Sequence, residues 1–79
     1  MKLLVRNLAR ATTEQDIRKL FAQFGEVREC TLVLDQVSGQ SKGFAFVEMP
    51  NDEEANEALE KLNLKEVAKS KIRVKAAQN

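Results

Sequence analysis

The chain has 79 residues, of which 43% are hydrophobic and 32% charged, with a net charge of +1, one cysteine and no histidine. This length predicts a single domain over residues 1–79, and the cysteine count excludes an internal disulfide and leaves no zinc site. The missing histidine removes the commonest general base, so we expect no enzyme, no cofactor and no metal. With no membrane-length apolar run and no secretory leader, we expect a soluble intracellular protein without membrane contact.

Hydrophobic alternation predicts a first strand over the segment from Lys2 to Arg6. Leu3 and Val5 share the phase that we expect to face the core. Lys2, Leu4 and Arg6 share the opposite phase, which would leave them on the other side of a sheet.

The first helix is predicted to begin at Thr12 or Thr13, because each threonine can cap a helix and has Gln or Asp three residues later. An apolar stripe at helical spacing follows, which we interpret as a core face and not as a ligand box. Gly25 stands where a left-handed helix stop is expected. The stripe consists of Ile17, Leu20, Phe21 and Phe24.

A second strand is predicted over residues 27–34, and we interpret Cys30 as a buried thiol used as a small apolar group. The polar segment 35–41 predicts a turn, with Gly39 available for a positive φ. The inward phase of the strand consists of Cys30, Leu32 and Leu34, and the outward phase of Glu29, Thr31 and Val33.

The third predicted strand, residues 42–49, has one phase with a charged residue at each end. An unpaired buried charge is costly, so that phase is expected to avoid the dry core. Phe44 and Phe46 then lie side by side on an open face, either covered by a loop or partner or serving as a stacking platform for unpaired bases. The core phase consists of Gly43, Ala45, Val47 and Met49.

A second helix is predicted to begin at a cap provided by Asn51 or Asp52 and to end at Asn63. Residues 64–70 predict either a short extra hairpin arm around Val67 or a segment packed under the loop. The apolar stripe of the helix consists of Ala55, Ala58, Leu59 and Leu62.

A last strand is predicted over residues 71–75, with Ile72 and Val74 inward, followed by a loosely held tail over residues 76–79. Residues 69–75 contain four basic residues and no acidic one, whereas the charged residues of segment 51–60 are all acidic. If the two segments lie on opposite sides of the fold, the molecule is strongly dipolar at a net charge near zero.

The order of predicted elements is β-α-β-β-α-β, which indicates an α+β ferredoxin-like sandwich with a four-stranded antiparallel sheet and two helices on one face. The third strand, Lys-Gly-Phe-Ala-Phe-Val-Glu-Met, resembles the signature motif of the RNA recognition motif family, with Met49 where an aromatic residue is usual. Residues 3–8 resemble the family's six-residue motif, except that Leu4 occupies its aromatic position. The resemblance extends from Lys2 to Lys75 and implies the sheet order four, one, three, two.

The resemblance implies that Phe46 stacks under one base and that Phe44 lies against two sugars. Leu4 stands where a second base would stack, Lys42 would contact a phosphate, and the last strand would add further contacts. The expected partner is single-stranded RNA, with single-stranded DNA bound more weakly, and the protein is expected to be a monomer. The predicted RNA-binding residues are Phe44, Phe46, Leu4, Lys42, Lys2, Arg6, Asn7, Lys71, Arg73 and Lys75.

Two alternatives remain open from the sequence. Some members of this fold family bind proteins, and the outward Leu4 and Val33 are compatible with a protein partner. An acylphosphatase-like enzyme on the same topology could use Arg6 and Asn7 to hold a phosphate, but a Gly-rich anion loop is missing after the first strand. Met1 directly before the first strand suggests a free-standing protein of a bacterial kind, which would be cytoplasmic; a eukaryotic one would have access to the nucleus.

Overall fold

The computed structural model describes residues 1–77 of the protein as one sheet, two helices and a small hairpin. The four long strands are antiparallel in the order β2-β3-β1-β6, which confirms the predicted fold and strand order once β6 is counted as the fourth long strand. The elements are β1 (Lys2–Arg6), α1 (Glu14–Ala22), β2 (Glu29–Leu34), β3 (Ser41–Glu48), α2 (Asp52–Leu62), β4 (Glu66–Val67), β5 (Ser70–Lys71) and β6 (Arg73–Ala77).

The core lies between one face of the sheet and the two helices. Leu3, Val5 and Val47 point into it from the two central strands and are fully buried, as their phase in the sequence predicts. Phe21 is the largest fully buried side chain and comes from the stripe of α1. Because both helices cover this face, the opposite phase of β1 and β3 is left uncovered by secondary structure.

Helix α1 begins at Glu14, and its N-cap is Thr13, one of the two caps that the sequence allows. The Thr13 side chain accepts a hydrogen bond from the Asp16 N–H (3.2 Å), and the Thr13 N–H donates to the Asp16 carboxylate (3.0 Å). This reciprocal capping box satisfies two backbone donors at the helix start. The hydrogen bonds from Thr13 also lower the pKa of the Asp16 carboxyl below its ordinary value.

The prediction that Gly25 ends α1 in a left-handed conformation is wrong. The helix ends at Ala22, its cap Gln23 is right-handed, and Gly25 has no positive φ. A Cβ on Gly25 would instead overlap the side chain of Glu54 in α2, including the Glu54 Cβ at 2.7 Å. Glycine therefore allows the segment after α1 to pass close to α2, where the Glu26 N–H donates to Glu54 Oε1.

Strand β2 begins at Glu29, two residues later than predicted, and Leu34 does not face the core as expected. Its side chain is 50% exposed because the pairing with β3 shifts register between Leu32 and Leu34. Such an irregularity breaks the alternation of faces that the sequence pattern assumes. Cys30 is buried as predicted, and burial raises the pKa of its thiol.

The turn from β2 to β3 is built on Asp35 and Gly39. The Asp35 carboxylate accepts hydrogen bonds from the N–H groups of Val37 (2.8 Å) and Ser38 (2.9 Å), which lower its pKa. Gly39 has φ +75°, the positive value that the sequence predicts.

Helix α2 begins at Asp52 and its N-cap is Asn51, whose side chain accepts from the Glu54 N–H at 3.0 Å. Its C-cap is Asn63, so both ends agree with the sequence prediction. The Asn63 side chain then accepts from the Val74 N–H at 3.0 Å, which ties the end of α2 to β6. Neither helix of the described chain is long and apolar enough to cross a membrane.

The C-terminal region departs from the prediction in two ways. The last strand of the sheet starts at Arg73, whereas Lys71 belongs to β5, which pairs with β4 in the extra hairpin. The strand also continues to Ala77, because Ala76 and Ala77 pair with Leu3 and Lys2, so these residues are not a loose tail. Gln78 and Asn79 lie outside the described residues.

The hairpin arm itself confirms one of the two interpretations of residues 64–70. Its turn residues, Ala68 and Lys69, both have positive φ values of 51° and 68°. Two consecutive left-handed residues match the twist of a two-residue hairpin. Val67 also packs against the core, so the arm is anchored to the fold by an apolar contact.

Candidate nucleic-acid interface

The uncovered side of the sheet, called the open face below, is organised in rows that run across the strands. The central row crosses all four long strands and is apolar in the middle, with a cation at one edge. The row beside it carries mixed charges. The central row consists of Thr31, Phe46, Leu4 and Lys75, and the mixed-charge row of Glu29, Glu48 and Lys2.

Phe44 and Phe46 form the aromatic part of the open face. Their ring centroids are 6.2 Å apart with an interplanar angle of 88°, an edge-to-face pair. Both rings are only partly buried, so each retains surface that another planar group could contact. Edge-to-face contact is a favoured arrangement of two aromatic rings, so it stabilises the orientation of this pair.

Leu4 lies directly opposite Phe46 on the neighbouring strand and is half-buried. The structure therefore places it where the sequence predicts, beside the aromatic pair and not in the core. Its side chain extends the apolar surface towards Lys75 but supplies no π-face.

Lys2 reaches over the aromatic surface. Its ammonium Nζ lies 5.0 Å from the centroid of the Phe46 ring, within the range of a cation–π contact. A base that stacks on this ring must share it with the ammonium or displace the ammonium to the rim. Lys2 is therefore close enough to contact a group that stacks on the Phe46 ring.

A basic cluster lies at the end of the open face beyond Phe44. Arg6 and Arg73 are directly opposed on β1 and β6, and Arg6 also lines a concavity shared with Lys42, Arg10 and Phe44. Arg10 is absent from the residues predicted to bind. It belongs to the loop after β1, where no strand phase indicates a direction, and a hydrogen bond from its guanidinium to Gln40 Oε1 (3.3 Å) holds it near this end.

Gly43 permits a close contact between the start of β3 and the backbone of Leu8. Its φ is +86°, its carbonyl accepts from the Leu8 N–H at 2.9 Å, and its N–H donates to Ser41 Oγ at 3.0 Å. A side chain would be strained in this left-handed conformation. The family motif's glycine at this position thus has a local structural reason.

Asn7 and Lys71 are brought together by the backbone, away from the central row. Asn7 has φ +60°, and its side-chain Nδ2 donates to the Lys71 carbonyl at 2.7 Å. This contact ties the end of β1 to β5. Lys71 is exposed but lies outside the four-stranded sheet, unlike Arg73 and Lys75, which are exposed on β6.

Charge is distributed unevenly over the molecule. The first turn of α2 carries Asp52, Glu53 and Glu54, while β6 and the loop end of β1 carry the basic side chains described above. Residues 1–77 include no group of three or more Cys, Asp or Glu side chains arranged to hold a metal ion. The open face is thus an apolar, partly aromatic surface with the basic cluster at one end and the mixed-charge row at the other.

Known proteins resemble this chain in sequence. A profile described as the RNA recognition motif matches residues 3–73. The chain is 37% identical over 76 residues, 96% of its length, to glycine-rich RNA-binding protein 4, mitochondrial, of Arabidopsis thaliana, of which it covers 56%. It spans about half the length of the plant relatives that it matches.

Solved structures agree with the sequence match. The crystal structure of RNA binding protein PG1 has a TM-score of 0.96 and 35% identity, and the match covers 100% of this chain and 95% of that one. The structure of an Sxl-lethal protein/RNA complex has a TM-score of 0.94 and 27% identity, over 99% of this chain and 47% of that one. By motif, topology and sequence, the chain belongs to the RNA recognition motif family.

Proposed function

We propose that the protein binds single-stranded RNA across the open face of its sheet. The observation that carries this proposal is the pair of partly exposed rings, Phe44 and Phe46, between cations on both sides. Base stacking on aromatic side chains and charge neutralisation of phosphates are the two contributions that a single strand requires. Relatives named as RNA-binding proteins and a solved neighbour in complex with RNA support it further.

Each part of the open face has a role in this proposal. Phe46 stacks under one base, Phe44 lies against the adjoining sugars, and Leu4 gives the next base an apolar but not aromatic contact. The phosphates of the strand contact basic side chains at the border of this surface. The proposed phosphate and rim contacts are Lys2, Arg6, Asn7, Arg10, Lys42, Lys71, Arg73 and Lys75.

A duplex suits the open face less well than a single strand. Bases within a duplex are stacked on each other and cannot stack on Phe46, and the flat sheet does not enter a narrow groove. We expect a DNA strand of the same sequence to bind more weakly, because it lacks the 2′-hydroxyl groups that RNA presents beside Phe44.

The test is the salt dependence of binding to a short single-stranded RNA, followed by fluorescence anisotropy. If two to four phosphates are neutralised, log K should fall with log salt with a slope of about −1.4 to −2.8. In the double variant Arg73→Glu, Lys75→Glu the slope should become shallower by about 1.4, since two phosphate contacts are lost. Affinity should fall for all sequences alike.

The matched control is Lys19→Glu, Lys61→Glu, which makes the same charge change on exposed positions of the two helices. It should leave the slope unchanged. A slope near zero in the unaltered protein, or equal losses in both double variants, would contradict binding on the open face and favour a protein partner there.

A further inference from the structure

The edge of the open face next to Phe46 carries carboxylates as well as cations. Glu48 lies between Glu29 on β2 and Lys2 on β1, directly opposite both in register. Together with Thr31 and Phe46, these side chains line a pocket of about 170 Å³. Carboxylates repel phosphate, so we expect the pocket beside Glu29 and Glu48 to bind a group that donates hydrogen bonds.

Arg28, which directly precedes β2, contacts Glu48 through its backbone and forms a long, solvent-exposed ion pair with its carboxylate. Arg28 Nε lies 3.8 Å from Glu48 Oε2, and the Arg28 N–H donates to the Glu48 carbonyl at 2.8 Å. Glu48 and Phe46 are two residues apart on β3 and project from the same face. The carboxylate therefore projects from the open face next to the Phe46 ring.

The chemistry of the base edges decides which base fits. An ionised carboxylate only accepts hydrogen bonds, and it binds most strongly to two parallel donors. Guanine has such a pair, its N1–H and its N2 amino group side by side. Uracil has one N–H between two carbonyl oxygens, and those oxygens would face the carboxylate unfavourably. Adenine and cytosine each have one amino group beside a ring acceptor.

The ammonium of Lys2 complements the same base. It lies over the ring of Phe46, 5.0 Å from its centroid, on the strand next to Glu48. Lysine donates readily to guanine O6 and N7, which are acceptors. A base that stacks on Phe46 displaces this ammonium to the rim of the ring, on the side of β1. One carboxylate and one ammonium at the rim of a single stacking ring then match the donor and acceptor groups of guanine.

We propose that the base stacked on Phe46 is a guanine, whose donor edge is bound by Glu48 and whose O6 is bound by Lys2. The inference rests on the proposed function and assigns a sequence preference to it. Glu29 adds a second acceptor at the outer side of the pocket.

The experiment compares hexauridylate with hexamers in which one central uridine is replaced by guanosine, inosine, adenosine or cytidine. A flexible strand can slide, so one guanosine suffices to reach Phe46. One bidentate base contact corresponds to about fivefold to 150-fold in affinity, and the guanosine strand should bind more tightly than hexauridylate by that factor. Inosine lacks the N2 amino group and should lie between the two.

In Glu48→Gln the affinities for the guanosine strand and hexauridylate should converge to within about twofold, because an amide presents one acceptor and one donor. The matched control is Glu57→Gln on the exposed side of α2, which removes the same charge and should keep the full preference. Equal affinity of the unaltered protein for guanosine and uridine strands, or a guanosine preference that persists in Glu48→Gln, would overturn the assignment.

The two proposals fail in different ways. If RNA binding itself is wrong, none of the hexamers binds at low salt. If only the guanine assignment is wrong, all the hexamers bind, weaken with salt, and lose affinity together in Phe46→Ala.

Discussion

The phenylalanines on the two sides of the four-stranded sheet differ in how far they are buried. Phe21 is fully buried and Phe24 packs against the core, whereas Phe44 and Phe46 stay partly exposed on the opposite side. The four residues are chemically identical and are all of the aromatic residues in the chain. What differs is how much of each ring is covered in the folded protein, so we expect Phe21 to contribute to stability and Phe46 to contribute to binding.

The two sides of the molecule also differ in charge. Acidic side chains in the first turn of α2 stabilise the helix through its dipole, and two of them, Asp52 and Glu53, are exposed to solvent. The basic side chains of β1 and β6 border the aromatic pair. A net charge of +1 conceals this separation, which favours attraction of a polyanion to one side only.

The largest expected effect tests the covered face. Phe21→Ala should lower the free energy of unfolding by about 3–5 kcal/mol, because it leaves a cavity among fully buried neighbours. Urea denaturation followed by circular dichroism measures this loss, and Phe24→Ala, at a partly buried position, should cost less. A loss in Phe21→Ala no larger than in Phe24→Ala would contradict the assignment of Phe21 to the core.

An intermediate effect tests the open face. Phe46→Ala should weaken RNA binding by about 1–3 kcal/mol through the lost stacking surface. Its unfolding free energy should change much less than that of Phe21→Ala, since one side of the ring is uncovered. Anisotropy titration and urea denaturation of the same preparation measure both quantities. If Phe46→Ala mainly loses stability, the contrast between the two faces disappears.

The smallest effect sharpens the comparison at Leu4. An aromatic side chain, although larger than leucine, should fit there, because Leu4 projects from the open face opposite Phe46. Leu4→Tyr should fold normally and raise RNA affinity by something on the order of 1 kcal/mol, since leucine already supplies part of the apolar contact. Chemical-shift titration with a tetranucleotide should then extend from β3 to β1. Unchanged affinity without that extension would mean that the strand does not cross Leu4.

Local sequence signals predicted much of the fold. Alternation identified the faces of β1 and β3, and helical spacing identified the stripes that bury Ile17, Phe21 and Ala58. The caps at Thr13 and Asn51 were among the alternatives that the sequence allowed. These features depend on residues that are close together in the sequence. At that distance, the period of a strand or helix and the chemistry of a cap directly determine where a side chain lies.

The errors share a nonlocal cause. Gly25 is needed because Glu54, nearly thirty positions away, approaches its α-carbon, and a helix stop was the nearest local explanation. Leu34 is exposed because the register with β3 shifts, and register depends on the partner strand. Arg10 was missed because a loop has no phase, so only the folded chain brings it beside Lys42.

The sequence by itself determined the order of elements, the two faces of each central strand and the pair of rings on one of them, because side-chain direction follows from backbone period. The tertiary structure decided where β6 begins and ends, since its pairing with β1 extends to Ala77 and leaves Lys71 in the hairpin. It also decided that Glu48 lies between Glu29 and Lys2 beside Phe46. Strand pairing brings together residues that are distant in the chain, and no local pattern specifies which of them become neighbours.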